Sequence, residues 1–197
     1  MKDTPRAAAY YDLFLTPFEH LAIHKWRRLL WSCVRGHRVL EVGTGTGMNI
    51  PHYPPNLHIT ALDKGEHFLK RARNRAHRLN KPVNFVRGNV QSLPFHDQTF
   101  DTAVSTFLFC SVEDPTRGLT ELHRVLKPGG LLLMLEHGAS RGRLGKLMNY
   151  LSEPLYLMTG DHIARDTEAL SQKAGFVEVE SKPLLLDVVK IVSAKKD

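Results

Sequence analysis

The sequence predicts an α/β fold: a doubly wound, seven-stranded sheet, mostly parallel, that ends in an antiparallel hairpin. Three observations predict it. Short apolar runs alternate with helical stretches along the 197 residues, the pattern of βαβ units. The runs Val39-Leu40-Glu41-Val42 and Leu131–Leu135 are near-continuous rather than alternating, which suits strands covered on both faces. After Gly175 two β-rich stretches follow each other too closely for a helical crossover, so they can pair only antiparallel.

Taken in order, an aromatic-rich helical cap over 1–36 precedes a first strand at Arg38–Val42. Further strands are expected at His58–Leu62, Val83–Val86, Thr102–Ser105 and Leu131–Leu135, with helices near 46–53, 65–79 and 114–126 between them. Phe68, Leu69, Ala72, Ala76 and Leu79 give the second of these helices an inner stripe at helical spacing. Lys127-Pro128-Gly129-Gly130 stops the third and turns the chain into the fifth strand. A helix from Asp166 to Ala174 is capped by Gly175, and the strands Phe176–Glu180 and Asp187–Ala194 are separated at Lys182-Pro183. No repeat or linker interrupts the chain, so a single domain over 1–197 is expected, with 138–165 inserted after the fifth strand as a lid.

Composition narrows the class. An apolar fraction of 42% with 24% charged residues excludes disorder, collagen and coiled coil. Cys33 and Cys110 are far apart with no CxxC, which argues against a disulfide framework and for a reducing compartment. Asp3, Arg6, Asp12 and Glu19 are wrong for a signal peptide, and no apolar run approaches a membrane span. A cytoplasmic protein is expected. The net charge of +7 concentrates in Lys70, Arg71, Arg73, Arg75, Arg78 and Lys81. That run reads as a solvated helix face or as a patch for peripheral contact with an anionic membrane. Aromatic residues do not interleave with it, so no nucleic acid is expected as partner.

The sharpest feature is Glu41-Val42-Gly43-Thr44-Gly45-Thr46-Gly47, a strand running straight into a glycine turn. Such a turn admits positive φ and lets a ligand lie against bare backbone. Sixteen residues after Gly47, Asp63 ends the second strand, where a carboxylate can accept from both hydroxyls of a ribose. The two together indicate a nucleoside site in a Rossmann-like fold. The dinucleotide spacing GxGxxG would need glycine at 48, where this chain has Met48, and no arginine lies in the loop to meet phosphate.

The segment Glu41–Gly47 resembles motif I of class I S-adenosylmethionine-dependent methyltransferases. Val86–Phe95, Phe100–Ser105 and Glu121–Gly130 continue the similarity to the UbiE/COQ5-like branch over roughly 37–137. Gly160–Asp166 and Ala174-Gly175-Phe176 more loosely resemble phospholipid N-methyltransferases and the methyltransferase-like 7 proteins. The resemblance implies S-adenosylmethionine as cofactor, with Gly43, Thr44, Gly45 and Gly47 beneath its methionine part and Glu41 orienting its amino end. Asp63 would grip the ribose and Lys64 would lie beside the adenine. Asn89 stands where the family usually has Asp; its amide oxygen can still accept from the adenine amino group, with the Val90 N–H meeting a ring nitrogen. Thr106 would offer its carbonyl to the methionine ammonium, and Tyr10 or Tyr11 would close over the cofactor.

Methyl transfer from a sulfonium is an in-line displacement, helped mainly by alignment and exclusion of water. A base is needed only for a protonated acceptor; His137, directly after the fifth strand, is the first candidate, followed by His162 and Tyr11. Leu144, Leu147, Met148, Leu151, Leu155 and Met158 of the insertion, with Phe14, Phe18, Trp26 and Trp31 of the cap, suggest a small-molecule acceptor that is apolar or lipid-like, such as a quinol, a phospholipid amine or a thiol. Two alternatives stand beside this reading, an NAD-linked oxidoreductase and an S-adenosylmethionine-binding protein without turnover. Four decoys carry less. Gly138-Ala139-Ser140-Arg141-Gly142 matches GxSxG without a suitably placed acid and His; His20 and His24 lack a third metal ligand; Gly145-Lys146 lacks the rest of a P-loop; Cys110 reads as a pocket or core thiol.

Overall fold

A computed structural model describes residues 23–137, 165–185 and 189–197. Seven strands form one sheet: β1 (Arg38–Val42), β2 (His58–Asp63), β3 (Asn84–Arg87), β4 (Phe100–Thr106), β5 (Leu126–His137), β6 (Val177–Leu185) and β7 (Val189–Lys195). Their order is β3-β2-β1-β4-β5-β7-β6. The first five pair parallel, and β7 runs antiparallel to both β5 and β6. The doubly wound sheet and its antiparallel end are as the sequence predicts. Helices α1 (His24–Ser32), α2 (Glu66–Arg78), α3 (Pro115–Val125) and α4 (Thr167–Lys173) complete the described elements.

The near-continuous apolar strands are covered twice, and the two faces build two cores. Leu40, Val42, Leu132 and Met134 pack with Leu119 and Leu122 of α3 and with Phe176. Val39, Val104, Leu133 and Leu135 pack with Leu30 and Trp31 of α1 and with Ala72 and Ala76 of α2. Side-chain capping sets two helix starts: Asp114 accepts from Arg117 N with Pro115 at the first position, and Asp166 accepts from Ala169 N.

Three local expectations are corrected. The helix near 46–53 is a chain of turns with one 3₁₀ turn at Ile50–His52. Positive φ at Gly45 and Gly47, and the Asn49 side chain drawn away into a buried network, break the helical repeat there. The Lys127–Gly130 segment lies inside β5, as an excursion between Leu126, opposite Phe100, and Leu131, opposite Thr102. Gly129 N and Gly130 O bond Lys196 there, so the helix stops at Val125 and the ladder resumes at once. Finally, β6 continues through Lys182-Pro183 to Leu185, and β7 begins at Val189. Pro183 is tolerated because β6 is the edge of the sheet among the described residues, a place where a strand can lack an N–H. Of the expected cap, residues 1–22 lie outside the described residues, as do 138–164 of the expected lid.

Asp101 ties the start of β4 to the entry of β1, accepting from His37 N and Arg38 N at 2.8 Å each and pairing with Lys127 of the β5 excursion. Burial pushes this carboxyl up, but the Arg38 N–H, Lys127 and the His37 N–H outweigh it and hold it at about 2. A depressed native value stabilises the fold above the unfolded value and loses that contribution as pH falls toward 2. Asp101→Asn is therefore expected to lower the urea midpoint at pH 7, with the gap to the parent protein closing as the pH falls from 4 to 2. Urea melts across that range check it.

Candidate active site

The glycine loop leaves β1 and curls over its carboxyl end, with Gly43 N and Thr44 N donating to Leu62 O of the neighbouring strand. Gly43 has φ +68, and a Cβ there would come within 2.7 Å of the Leu108 side chain. Gly45 has φ +54, and its outer side is bare among the described residues: of these, a Cβ there would meet only the Gly43 carbonyl oxygen, at 4.0 Å. The expected acidic partner is in place. Asp63 Oδ2 accepts from Gly45 N at 2.8 Å and Oδ1 from Gly65 N at 2.9 Å, at the start of α2. One carboxylate thus joins the loop to the end of β2 and to the start of α2. A bare backbone bend beside a partly exposed carboxylate fits an adenosyl ligand: the bend for the chain that carries the sulfonium, the carboxylate for ribose hydroxyls.

Behind the loop lies a buried polar network that sequence reasoning only touched. Glu41, almost fully shielded, accepts from Asn49 Nδ2 at 2.6 Å, from Thr44 Oγ1 at 3.0 Å and from the Tyr53 hydroxyl. Asn49 Nδ2 also donates to Thr106 Oγ1 at 2.8 Å, and its Oδ1 accepts from Arg27 Nη1 at 2.8 Å. Burial pushes the Glu41 carboxyl up, opposed by Tyr53, Asn49, Thr44 and the charge of Arg27. Glu41 and Thr106 are therefore linked through one amide, and both side chains are turned inward. Phe107, next after β4, has φ +51, a conformation costly for a bulky residue. Its ring stacks on His137 with centroids 4.6 Å apart, and the Arg27 guanidinium lies 5.9 Å from its centre.

The residues expected beside the adenine are close to Asp63: Gly88 N donates to Asp63 O at 3.0 Å, and Asn89 and Val90 follow directly. Asn89 is exposed, and its Oδ1 accepts from Gln91 N at 3.0 Å in a tight turn. Val90 turns into the core against Gly118. Lys64 is exposed and its carbonyl accepts from Arg87 Nε. Tyr10, Tyr11, His20, His162 and the GxSxG segment lie outside the described residues. His24 is described and its ring meets His52 edge-on at 4.5 Å; among the described residues no cluster of metal-ligating side chains forms.

Arg27, Asn49, Tyr53, Phe107 and Glu136 were missed. Arg27 sits in a helix whose other cations are exposed, and only its burial distinguishes it. Glu136 did leave a signal, a lone carboxylate closing the run Leu131–Leu135.

Residues 40–134 match the family model of the methyltransferase domain. The chain is 32% identical over 186 residues to the thiol S-methyltransferase TMT1B of Homo sapiens, covering 87% of this chain and 75% of that one. The chain belongs to the class I S-adenosylmethionine-dependent methyltransferases. The chain is also 39% identical over 107 residues to the phosphatidylethanolamine N-methyltransferase of Cereibacter sphaeroides, covering 53% of each. To the ubiquinone/menaquinone biosynthesis C-methyltransferase UbiE of Pasteurella multocida it is 31% identical over 173 residues, 82% of this chain and 64% of that one. It thus spans about half to three-quarters of the length of these curated relatives. A solved Thermotoga maritima methyltransferase, described as a possible histamine N-methyltransferase, shares the fold with a TM-score of 0.77 at 22% identity across 98% of both chains. S-adenosylmethionine is the cofactor of this family, and the NAD-linked alternative is not favoured.

The network behind the loop has a measurable weight. Asn49→Ala leaves Glu41 Oε1, Thr106 Oγ1 and Arg27 Nη1 each short of the partner that Asn49 supplied. Unmet buried groups of this kind cost about 1–3 kcal/mol apiece before relaxation. The variant is expected to be less stable by roughly 2–4 kcal/mol, read from urea unfolding at pH 7.5.

Proposed function

We propose that this methyltransferase moves the methyl group of S-adenosylmethionine to a small apolar or lipid-like acceptor. The observation that carries the cofactor side is the 2.8 Å bond between Gly45 N and Asp63, which brings the bare loop and the acidic strand end into one cradle. The bound cofactor supplies an electrophilic methyl on a sulfonium. The chain's part is to hold and shield. Asp63 would accept from the ribose hydroxyls, Asn89 and the Val90 N–H would read the adenine with Lys64 beside it, and Gly43, Thr44, Gly45 and Gly47 would hold the methionine part. The Thr106 carbonyl takes the ammonium, and Glu41 acts from behind the loop, through Thr44 and Asn49. His137 at the end of β5 would take the proton when the acceptor arrives protonated.

Curated relatives with thiol, phospholipid-amine and quinone acceptors share a small acceptor with large apolar or soft character. That range supports an apolar acceptor pocket beside the cofactor. No helix among the described residues is long and apolar enough to cross a membrane. The exposed face of α2, with Lys70, Arg73 and Arg78, supports peripheral contact with an anionic bilayer as a second element of the reading.

Asp63→Ala is expected to weaken S-adenosylhomocysteine binding by about 1.5–3 kcal/mol in calorimetry, the loss of a charged hydrogen-bonded group; unchanged affinity rejects the ribose assignment. A panel of thiols, amines, quinols and phospholipids with labelled cofactor is expected to yield product, and no product from any class despite tight binding would favour a non-catalytic binder. Sedimentation with phosphatidylserine vesicles is expected at low salt and should fade by 0.3 M, whereas no binding at low salt removes the membrane element.

A further inference from the structure

Glu136 is the one carboxylate of β5 that points into the core between the sheet and α3, beyond Leu132 and Met134 on the same face. It is about 1% exposed. Its two oxygens are used very unequally. Oε1 accepts from Leu108 N at 3.0 Å, Phe109 N at 3.2 Å and Ser105 Oγ at 3.4 Å, whereas Oε2 has no hydrogen-bond partner among the described residues. A buried charge gathered onto one side of a carboxyl group is not what packing alone would select, because an apolar residue of similar size would carry no desolvation cost there.

The turn it holds has a definite place. Phe107 adopts positive φ, Leu108 lies against the underside of Gly43, and Phe109 is fully buried. The same turn is gripped from its carbonyl side by Arg165, whose Nη1 donates to Phe109 O at 2.6 Å and Val112 O at 2.5 Å. Glu136 and Arg165 therefore hold opposite ends of the peptide groups of one short turn, and that turn buttresses the glycine loop. We propose that Glu136, as a carboxylate, is a positioning residue for methyl transfer, fixing the Phe107–Phe109 turn against the glycine loop so that the cofactor cradle keeps its shape. This rests on the S-adenosylmethionine reading of the loop and names a residue that acts on it indirectly.

The carboxylate form matters because amide N–H groups bond an ionised acceptor about twice as strongly as a neutral one. Burial pushes the Glu136 carboxyl up to about 7, while the N–H groups of Phe109 and Leu108, the Ser105 hydroxyl and the charge of Arg165 pull the other way. Two more charged or titratable groups among the described residues lie next to it in β5 and β7. Lys190 of β7 is its cross-strand partner, but the Lys190 ammonium pairs with Glu168 of α4 at 3.0 Å. His137 points to the opposite face, onto Phe107. The hold on the turn is consequently strong at pH 8 and weak at pH 6.

The sign of the stability effect is opposite. A carboxyl raised in the folded state stabilises the fold below its unfolded value and loses that contribution as pH rises toward 7. Ionised Glu136 thus works against stability at pH 8 while serving the site. A residue of purely structural importance would move both in the same direction.

The test uses the full chain. Cofactor affinity, read by calorimetry with S-adenosylhomocysteine, is expected to rise up to tenfold from pH 6 to pH 8 in the parent protein. In Glu136→Gln it should stay near the low value throughout, with a thermal midpoint at pH 8 no lower than the parent's. Equal pH profiles in the two proteins, or an affinity loss matched by a lower midpoint, overturn the proposal. A second measurement needs neither ligand nor variant: the hydrogen-exchange protection of Leu108 N–H and Phe109 N–H, corrected for intrinsic rates, is expected to fall several-fold from pH 8 to pH 6. Constant protection overturns the proposal. Failure of the parent to bind the ligand at any pH would strike the methyltransferase reading instead, and the exchange result would still decide the role of Glu136 in holding the turn.

Discussion

The site depends on one bond across two strand ends, from Gly45 N to the Asp63 carboxylate. A glycine bend by itself is a flexible turn, and an acidic residue at the tip of a strand is by itself a turn former. Joined at 2.8 Å they become a single rigid edge. The parallel register that sets Val42 against Leu62 and Asp63 against Arg87 delivers the carboxylate to that position. The sheet is in this sense the instrument that measures the separation between the loop and the acidic group, and the buried packing on its two faces maintains it.

The supporting layer is polar, which is unusual for a region so well enclosed. Arg27, Asn49, Glu41, Thr44, Tyr53 and Thr106 form one connected set, with Asn49 as the amide that touches three of the others. Such a set specifies geometry only when its members are satisfied. The cost of burying Glu41 is offset by three donors on its two oxygens. Glu136 lies on the other face of the sheet, fixing the turn after β4 through two amides. Two buried carboxylates on opposite faces of the sheet therefore hold the two backbone bends that meet at Gly43.

Much of the architecture was legible because it is written in local patterns. β1 appears over its expected residues, and the long helix after β2 differs from expectation by a residue at each end. The element near 46–53 failed because the apolar residues there, Ile50 and Met48 among them, look helical only if Asn49 is counted as a surface residue. It is buried and fully bonded, and no spacing rule reports that. Pro128, Gly129 and Gly130 read locally as a helix stop and a turn into the fifth strand; their inclusion in β5 depends on Lys196, nearly seventy residues away.

The site divides along the same line. Asp63 and the glycines carry their role in their order along the chain. Arg27, Tyr53 and Glu136 acquire theirs from partners distant in sequence, and their residue types alone read as an exposed cation, a core aromatic and a strand-end acid. Asn89 is intermediate: its position is legible, while the bond its side-chain oxygen accepts from Gln91 N is visible only in the fold.

The most direct measurement of this account is a crystal structure of the full chain with S-adenosylhomocysteine bound. The account predicts the ribose hydroxyls on Asp63, the thioether chain against Gly45, and the Asp63 bond to Gly45 N intact. A ligand bound elsewhere, or a side chain of the protein itself lying over Gly45 in its presence, would contradict it.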